Sequence, residues 1–403
     1  MRRLLGLWLA WLVLIAGVNL ASPLYHVYAQ RFGYSPLVLT AIFSTYAIVL
    51  VPALVLFGRL SDRFGRRPVL ASGLGTACVG LILFTAAQGD GWLFAARAVQ
   101  GLAVAMVSGP ATAALVELDP DGNRRRAALG AGLAQTLGSA VGPIFAGVLA
   151  EFAPYPLQLS YLAVLLLTFV AAIVVLRLPE LRGGAREPWR PQWPRVPAEI
   201  RSPFLRVALT AGVGWAAISL YLSIVPSYAS SLLHTHALAL LAAVATTALL
   251  ASSTAQAVMA RRAGSRRRDQ ALGCVLVAAG LVGLIVAAPT GSFAALLVGA
   301  LVAGIGQGLS FLTAQEELNE LAPEERRGEV TAAFIAVTYA CVAGFVIASG
   351  LLALGMSLEN AVETVAAALI AVALGVAAWH GATSSAAAPR HRAAAPRSAA
   401  ARR

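Results

Sequence analysis

The polar residues of this chain are few, and those that could do chemistry fall into short groups. The densest is Gly58-Arg59-Leu60-Ser61-Asp62-Arg63-Phe64-Gly65-Arg66-Arg67-Pro68, where one carboxylate stands among four arginines. Its two glycines permit a tight turn. A solvated basic loop accounts for the arginines, but not for the lone Asp62 or the glycine spacing. A second group is Arg97 with Gln100 and Gly101, inside an apolar stretch. An Arg there costs about 2.5–3.5 kcal/mol on insertion scales, so it should face protein or water. Arg97, Gln100, Gly101 and Val104 share one helical face. The alternative is that Arg97 lies near a helix end and snorkels to the interface. A third group is a stripe four residues apart, Gly130, Ala134, Gly138, Gly142 and Ala146, with Pro143 and Gly147 beside it. Small residues so spaced suit close helix packing, and the proline adds a kink.

Asn19, Tyr46, Gln135, Trp215, Tyr221, Gln307 and Tyr339 lie in the middle of separate apolar stretches. As a set they could line a cavity for an uncharged or cationic organic molecule, through stacking and cation–π contact. Singly, each is as readily a packing residue. The carboxylates gather near the ends of the apolar stretches, and the first stretch has none. That argues against strongly cationic substrates and leaves no obvious carrier for a proton. There is no P-loop, so ATP is not the expected energy source. Neither a nucleophile–base pair nor a metal cluster stands out. Cys78, Cys274 and Cys341 sit in apolar surroundings without ligand or disulfide spacing. Neither an enzyme nor a resident cofactor is expected.

The elements that must position these groups follow from composition. Of 403 residues, 59% are hydrophobic and only 12% charged, about half the charged share of a soluble domain. Lipid is the expected solvent. Apolar spans are expected at about 4–26, 37–57, 69–87, 92–115, 127–150, 157–178, 204–229, 237–258, 270–288, 292–314, 329–354 and 359–380. The first is read as an uncleaved helix, being long for a signal peptide. The formal charge of +12 is carried by arginine, with no lysine. It is no nucleic-acid patch, because the arginines fall in alternate loops and at both ends, while the opposite loops hold only Arg31. The positive-inside rule then places both termini in the cytoplasm, as an even number of spans requires.

The stretch 179–203 holds Pro179, Pro188, Pro191, Pro194, Pro197 and Pro203, a density that a helix does not tolerate. It divides the chain into six spans over 1–178 and six over 204–380. The low-complexity tail, 381–403, is expected to be disordered. The halves echo each other: Glu117-Leu118-Asp119-Pro120 matches Glu320-Leu321-Ala322-Pro323, and Gly101 matches Gly304, at one offset. Such weak symmetry at half the chain length is what duplicated transporter folds show.

The Gly58–Pro68 loop resembles the signature loop of the major facilitator superfamily, G-x-L-x-D-R-x-G-R-R, at nearly every defined position. That resemblance implies an all-α membrane fold of twelve helices in two pseudo-symmetric bundles, working by alternating access. It also implies that Asp62 latches one side shut near the start of the eleventh helix, within a network of Arg63, Arg66 and Arg67. The second half has arginines at the matching loop but no Asp. Arg97-x-x-Gln100-Gly101 looks like the superfamily's fourth-helix motif, tied to proton coupling in antiporters. Gly138-x-x-x-Gly142-Pro143-x-x-x-Gly147 resembles the antiporter motif of drug exporters, although those usually show glycine where this chain has Ala146. The resemblance implies a monomer in the bacterial inner membrane that exports a small organic compound, a drug or metabolite, against a proton gradient. A nutrient symporter or facilitator is the alternative, and a non-transport sensor on this scaffold a weaker one.

Overall fold

The structure is a computed structural model and describes residues 2–57, 60–180, 195–223, 225, 237–262, 265–323 and 326–386. Among the described residues all regular structure is helical. Twelve helices are long and apolar enough to cross a membrane. Those of the first half run Arg2–Phe32, Pro36–Phe57, Arg66–Thr85, Asp90–Leu118, Leu129–Phe152 and Leu159–Leu176. Those of the second run Ala198–Ser223, Leu238–Met259, Arg266–Thr290, Phe293–Leu321, Glu329–Leu352 and Leu358–Ala382. Large apolar side chains left exposed, such as Leu166 and Phe169 on the sixth span, are what a lipid solvent permits.

Several boundaries differ from the sequence reading, the tenth span running on to Leu321 rather than 314, and three of the differences bear on prolines or on the tail. The first span continues to Phe32 as two segments, Arg2–Asn19 and Ala21–Phe32. Pro23 has no N–H to give the Asn19 carbonyl, so the hydrogen-bond ladder is interrupted there. The helix of the seventh span begins at Arg201, with Pro203 in its first turn, where the missing N–H costs nothing. The last helix runs to Ala386, past the expected end at 380. Residues 181–194 of the central segment and 387–403 of the tail lie outside the described residues.

The two halves use one packing plan. The first span packs on the fifth and sixth, the second on the fourth, and the third on the fourth and sixth. The seventh likewise packs on the eleventh and twelfth, the eighth on the tenth, and the ninth on the tenth and twelfth. The Gly101–Gly304 match has a physical cause. A Cβ at Gly101 would stand 2.7 Å from the Tyr46 carbonyl oxygen, and one at Gly304 would collide with the Ala248 carbonyl. Only glycine lets the fourth span lie so close to the second, and the tenth to the eighth. The Glu117–Glu320 match has one too. Each glutamate closes its bundle at the arginine-rich end, Glu117 on Arg66 at 2.7 Å and Glu320 on Arg266. The halves meet where the second span packs on the eleventh and the fifth on the eighth.

Candidate functional site

Arg97 does not snorkel. It is 3% exposed and reaches inward from the fourth span. Its Nη1 donates to the Val18 carbonyl at 2.9 Å and to Gln100 Oε1 at 3.0 Å, and its Nη2 to the Phe43 carbonyl at 3.1 Å. Gln100 Nε2 donates to the Gly17 carbonyl at 3.1 Å. Arg97 and Gln100 thus bind backbone just before the break in the first span. The guanidinium lies 5.3 Å from the centre of the Phe43 ring and 4.8 Å from that of Tyr46, within cation–π range. Among the described residues no carboxylate comes within ion-pair distance of it.

Tyr46 carries this cluster to the other half. Its hydroxyl is 3.3 Å from that of Tyr339 on the eleventh span, and the rings meet edge to face at 5.8 Å. The other cavity candidates are more scattered. Asn19 Nδ2 donates to Ser139 Oγ of the fifth span at 3.2 Å. Gln135 is half-buried on that span. Trp215 stands edge-on to Phe311. Gln307 is fully buried; Ser252 Oγ donates to its Oε1, and Gln256 Nε2 donates to Ser252 Oγ at 3.1 Å. Tyr221 packs inside the second bundle, donating to the Gly280 carbonyl at 3.3 Å; it does not join the others. Ser252 and Gln256 were not singled out in the sequence, where Thr246, Thr247, Ser253 and Thr254 share the same helix and nothing marks which of its polar groups turns inward.

The small-residue stripe of the fifth span serves two partners. A Cβ at Gly138 would stand 2.7 Å from the Leu12 carbonyl, and one at Gly142 would strike that of Ala16. Both glycines let the fifth span press on the first, within one bundle. Gly147, one turn past the buried Pro143, faces the other half instead: its Cβ would be 2.6 Å from Ala242 Cβ and 2.9 Å from the Leu238 carbonyl. Hence one helix is clamped in its own bundle and also forms the seam.

At the arginine-rich end, Gly58, Arg59 and the side chain of Asp62 lie outside the described residues. Gly65 takes φ +89°, which glycine tolerates, at the start of the third span. Arg63 lies over the Phe64 ring. Among the described side chains, Arg66 pairs with Glu117, and Arg67 with Glu180 at 3.4 Å. These contacts tie the loop to the ends of the fourth and sixth spans. The second half has its own buried pair, Arg206 with Glu317 at 2.6 Å, and Gln270 Nε2 donates to the same carboxylate at 2.7 Å. Just past the fourth span, Asp119 accepts from the backbone N–H groups of Asp121 and Asn123 and from Arg126. Desolvation opposes its charge, but these donors outweigh it and hold the carboxyl below the usual carboxylate range.

The halves touch intimately at the arginine-poor end. Gly350 lies against Leu37 and Thr40, Ser22 Oγ donates to the Leu222 carbonyl, and the Ala239 N–H donates to Glu151 at 2.7 Å. Towards the arginine-rich end a cavity of about 240 Å³ opens between them. Asn123, Arg126 and Leu129 line it from the first half, and Leu312, Gln315 and Asn319 from the second.

Two repeated six-helix bundles, meeting along two helix pairs and enclosing a buried cation, define a polytopic membrane transporter. The chain belongs to the Major Facilitator Superfamily, whose model matches residues 7–348. It is similar to the cephamycin export protein of Amycolatopsis lactamdurans, 32% identical over 160 residues, which is 39% of this chain and 32% of that protein. It is also similar to a puromycin resistance protein of Streptomyces alboniger, 33% identical over 136 residues, 34% of this chain and 26% of the relative. These matches span a third or less of the relatives' length. Among solved structures, a nucleoside transporter, NupG, shares the fold with a TM-score of 0.70 at 14% identity, over 94% of this chain and 99% of that one.

Proposed function

We propose that this transporter works by alternating access as a proton-coupled exporter of a small organic compound. The observation that carries the reading is the Arg97 cluster. A buried cation, held by three acceptors and covered by Tyr46, touches the seam between the halves through Tyr339. A charge placed so couples its own hydration and hydrogen bonding to whether the second and eleventh spans stay together. The fifth span suits such a cycle: Gly142-Pro143 holds it on the first span while Gly147 forms the seam, so a bend at Pro143 separates the halves without unpacking the bundle. The outward direction rests on the likeness of its Gly138–Gly147 motif to that of drug exporters. An export protein and a resistance protein among the relatives agree with this direction.

In this reading the arginine-rich face stands in the cytoplasm, by the positive-inside rule, and the molecule sits in the bacterial inner membrane as a monomer. The Asp62 loop serves as the gate on that face. The test is uptake of candidate compounds into inverted membrane vesicles carrying an acid-inside gradient. Uptake that collapses with a protonophore supports export. Accumulation only in right-side-out vesicles means import. If no compound moves in either orientation, the transport role itself fails.

A further inference from the structure

Charge is unevenly distributed along the spans. Carboxylates described within the long helices lie in the turns near their ends: Asp90, Glu151, Glu359 and Glu363 towards the arginine-poor end, Glu117, Glu316, Glu317 and Glu320 towards the other. Every described ion pair also lies at the arginine-rich end. Among the described residues, Arg97 is the deeply buried charge that has carbonyls and an amide for partners and no carboxylate, whereas buried Arg206 is paired with Glu317. In a low-dielectric interior such a charge favours a nearby anion and opposes a nearby cation.

The groups that could meet a substrate beside it are Tyr46 and Tyr339. In their contact one hydroxyl donates to the other, which leaves one O–H hydrogen without a partner among the described residues. Tyr339 is half-buried at the seam. One face of the Tyr46 ring is already taken by the Arg97 guanidinium. The ring is therefore a poor platform for a cationic substrate, contrary to the cation–π expectation from the sequence. Its hydroxyl, polarised by the cation behind it, is a better donor.

We infer that the transported compound is an organic anion. Its carboxylate replaces the contact between the Tyr46 and Tyr339 hydroxyls and accepts from both, one from each half, and Arg97 supplies the field from behind without touching it. This rests on the transporter reading above and assigns the charge of its substrate.

The test uses the purified full chain in an uncharged detergent at pH 7, without any gradient. Thermal unfolding is followed with matched carboxylate, amide and ammonium forms of benzyl, naphthyl and anthracenyl probes. The carboxylate of at least one scaffold is expected to bind at least tenfold more tightly than its amide, with no binding of the ammonium form. Tyr46→Phe and Tyr339→Phe, which keep the rings, should each weaken the carboxylate about tenfold, the loss of one charged hydrogen bond, and leave the amide unchanged. Arg97→Gln should erase the preference for the carboxylate. Preference for the ammonium form, equal binding of all three, or binding of none overturns the inference. Carboxylate binding without gradient-driven transport in proteoliposomes would instead leave the inference standing and remove proton coupling.

Discussion

The Arg97 guanidinium lies 4.8 Å from the centre of the Tyr46 ring, though the two residues belong to different spans. Tyr46 is in turn 3.3 Å, hydroxyl to hydroxyl, from Tyr339 on the eleventh span. A charge buried in the first bundle is thereby one side chain away from the second. Movement of the eleventh span against the second would alter what covers Arg97.

Replacing Arg97 by Ala should leave a folded protein, because removing a buried unpaired cation does not strand a counter-ion. Gradient-driven transport should fall by at least about tenfold, the equivalent of one charged hydrogen bond. Size-exclusion behaviour together with vesicle flux checks both halves of the statement; normal flux would remove the coupling role.

Gly142 and Gly147 are five residues apart on one helix, about 1.4 turns, and their substitutions should fail differently. Gly142→Leu overpacks the first bundle against Ala16 and should lower stability by about 1–3 kcal/mol, or more if the helices cannot part. Gly147→Leu meets the opposite half at Leu238 and Ala242. It should leave stability nearly unchanged and hold the arginine-poor end open. Labelling of a Leu238→Cys reporter, with the natural cysteines removed, by an impermeant maleimide should then rise in the Gly147 variant and not in the Gly142 variant.

The matched glutamates should not be equivalent energetically. The side chains of the Arg66–Glu117 pair are 16% and 21% exposed, those of Arg266–Glu320 40% and 62%. Glu117→Gln should cost about 1–3 kcal/mol by leaving Arg66 poorly paired, whereas Glu320→Gln should cost under about 1 kcal/mol. Thermal unfolding of the two variants decides this, and equal losses would contradict it.

Asp119 gives the turn after the fourth span a defined pH dependence. Its carboxyl is held below its ordinary value in the folded protein, so its contribution is fully present above the unfolded value of about 3.9. That contribution is lost as pH falls through the lower, folded value. Protection of the Asp121 and Asn123 amides, taken as exchange relative to the intrinsic rate at each pH, should persist at neutral pH and be lost only in strong acid. In Asp119→Ala that protection should be missing throughout, and a midpoint near pH 6 would exclude Asp119 as the cause.

Much of the architecture was legible in the residues. Apolar runs of membrane length set the twelve spans, because a chain this poor in charge must bury its backbone in helices when lipid surrounds it. The repeat was visible because Gly101 and Gly304 sit where backbones nearly touch, and Glu117 and Glu320 where a bundle end needs an anion; such positions resist drift for steric and electrostatic reasons. Ends were less legible. Pro203 counted against a helix in the sequence and proved to be in the first turn of one, a place where proline is harmless.

What the sequence by itself determined, then, is the span plan, the side on which arginine collects, the internal duplication and the candidate charge at Arg97. Each depends on composition or short-range spacing along one helix. Tertiary structure alone decided that Arg97 turns inward onto Val18 and Phe43, that Tyr46 finds Tyr339 while Tyr221 turns into its own bundle, and that Arg66 pairs with Glu117. These partners are 51 to 293 residues apart in the chain. Helical periodicity says which face a side chain occupies, but the rotation and crossing of whole helices decide what that face meets.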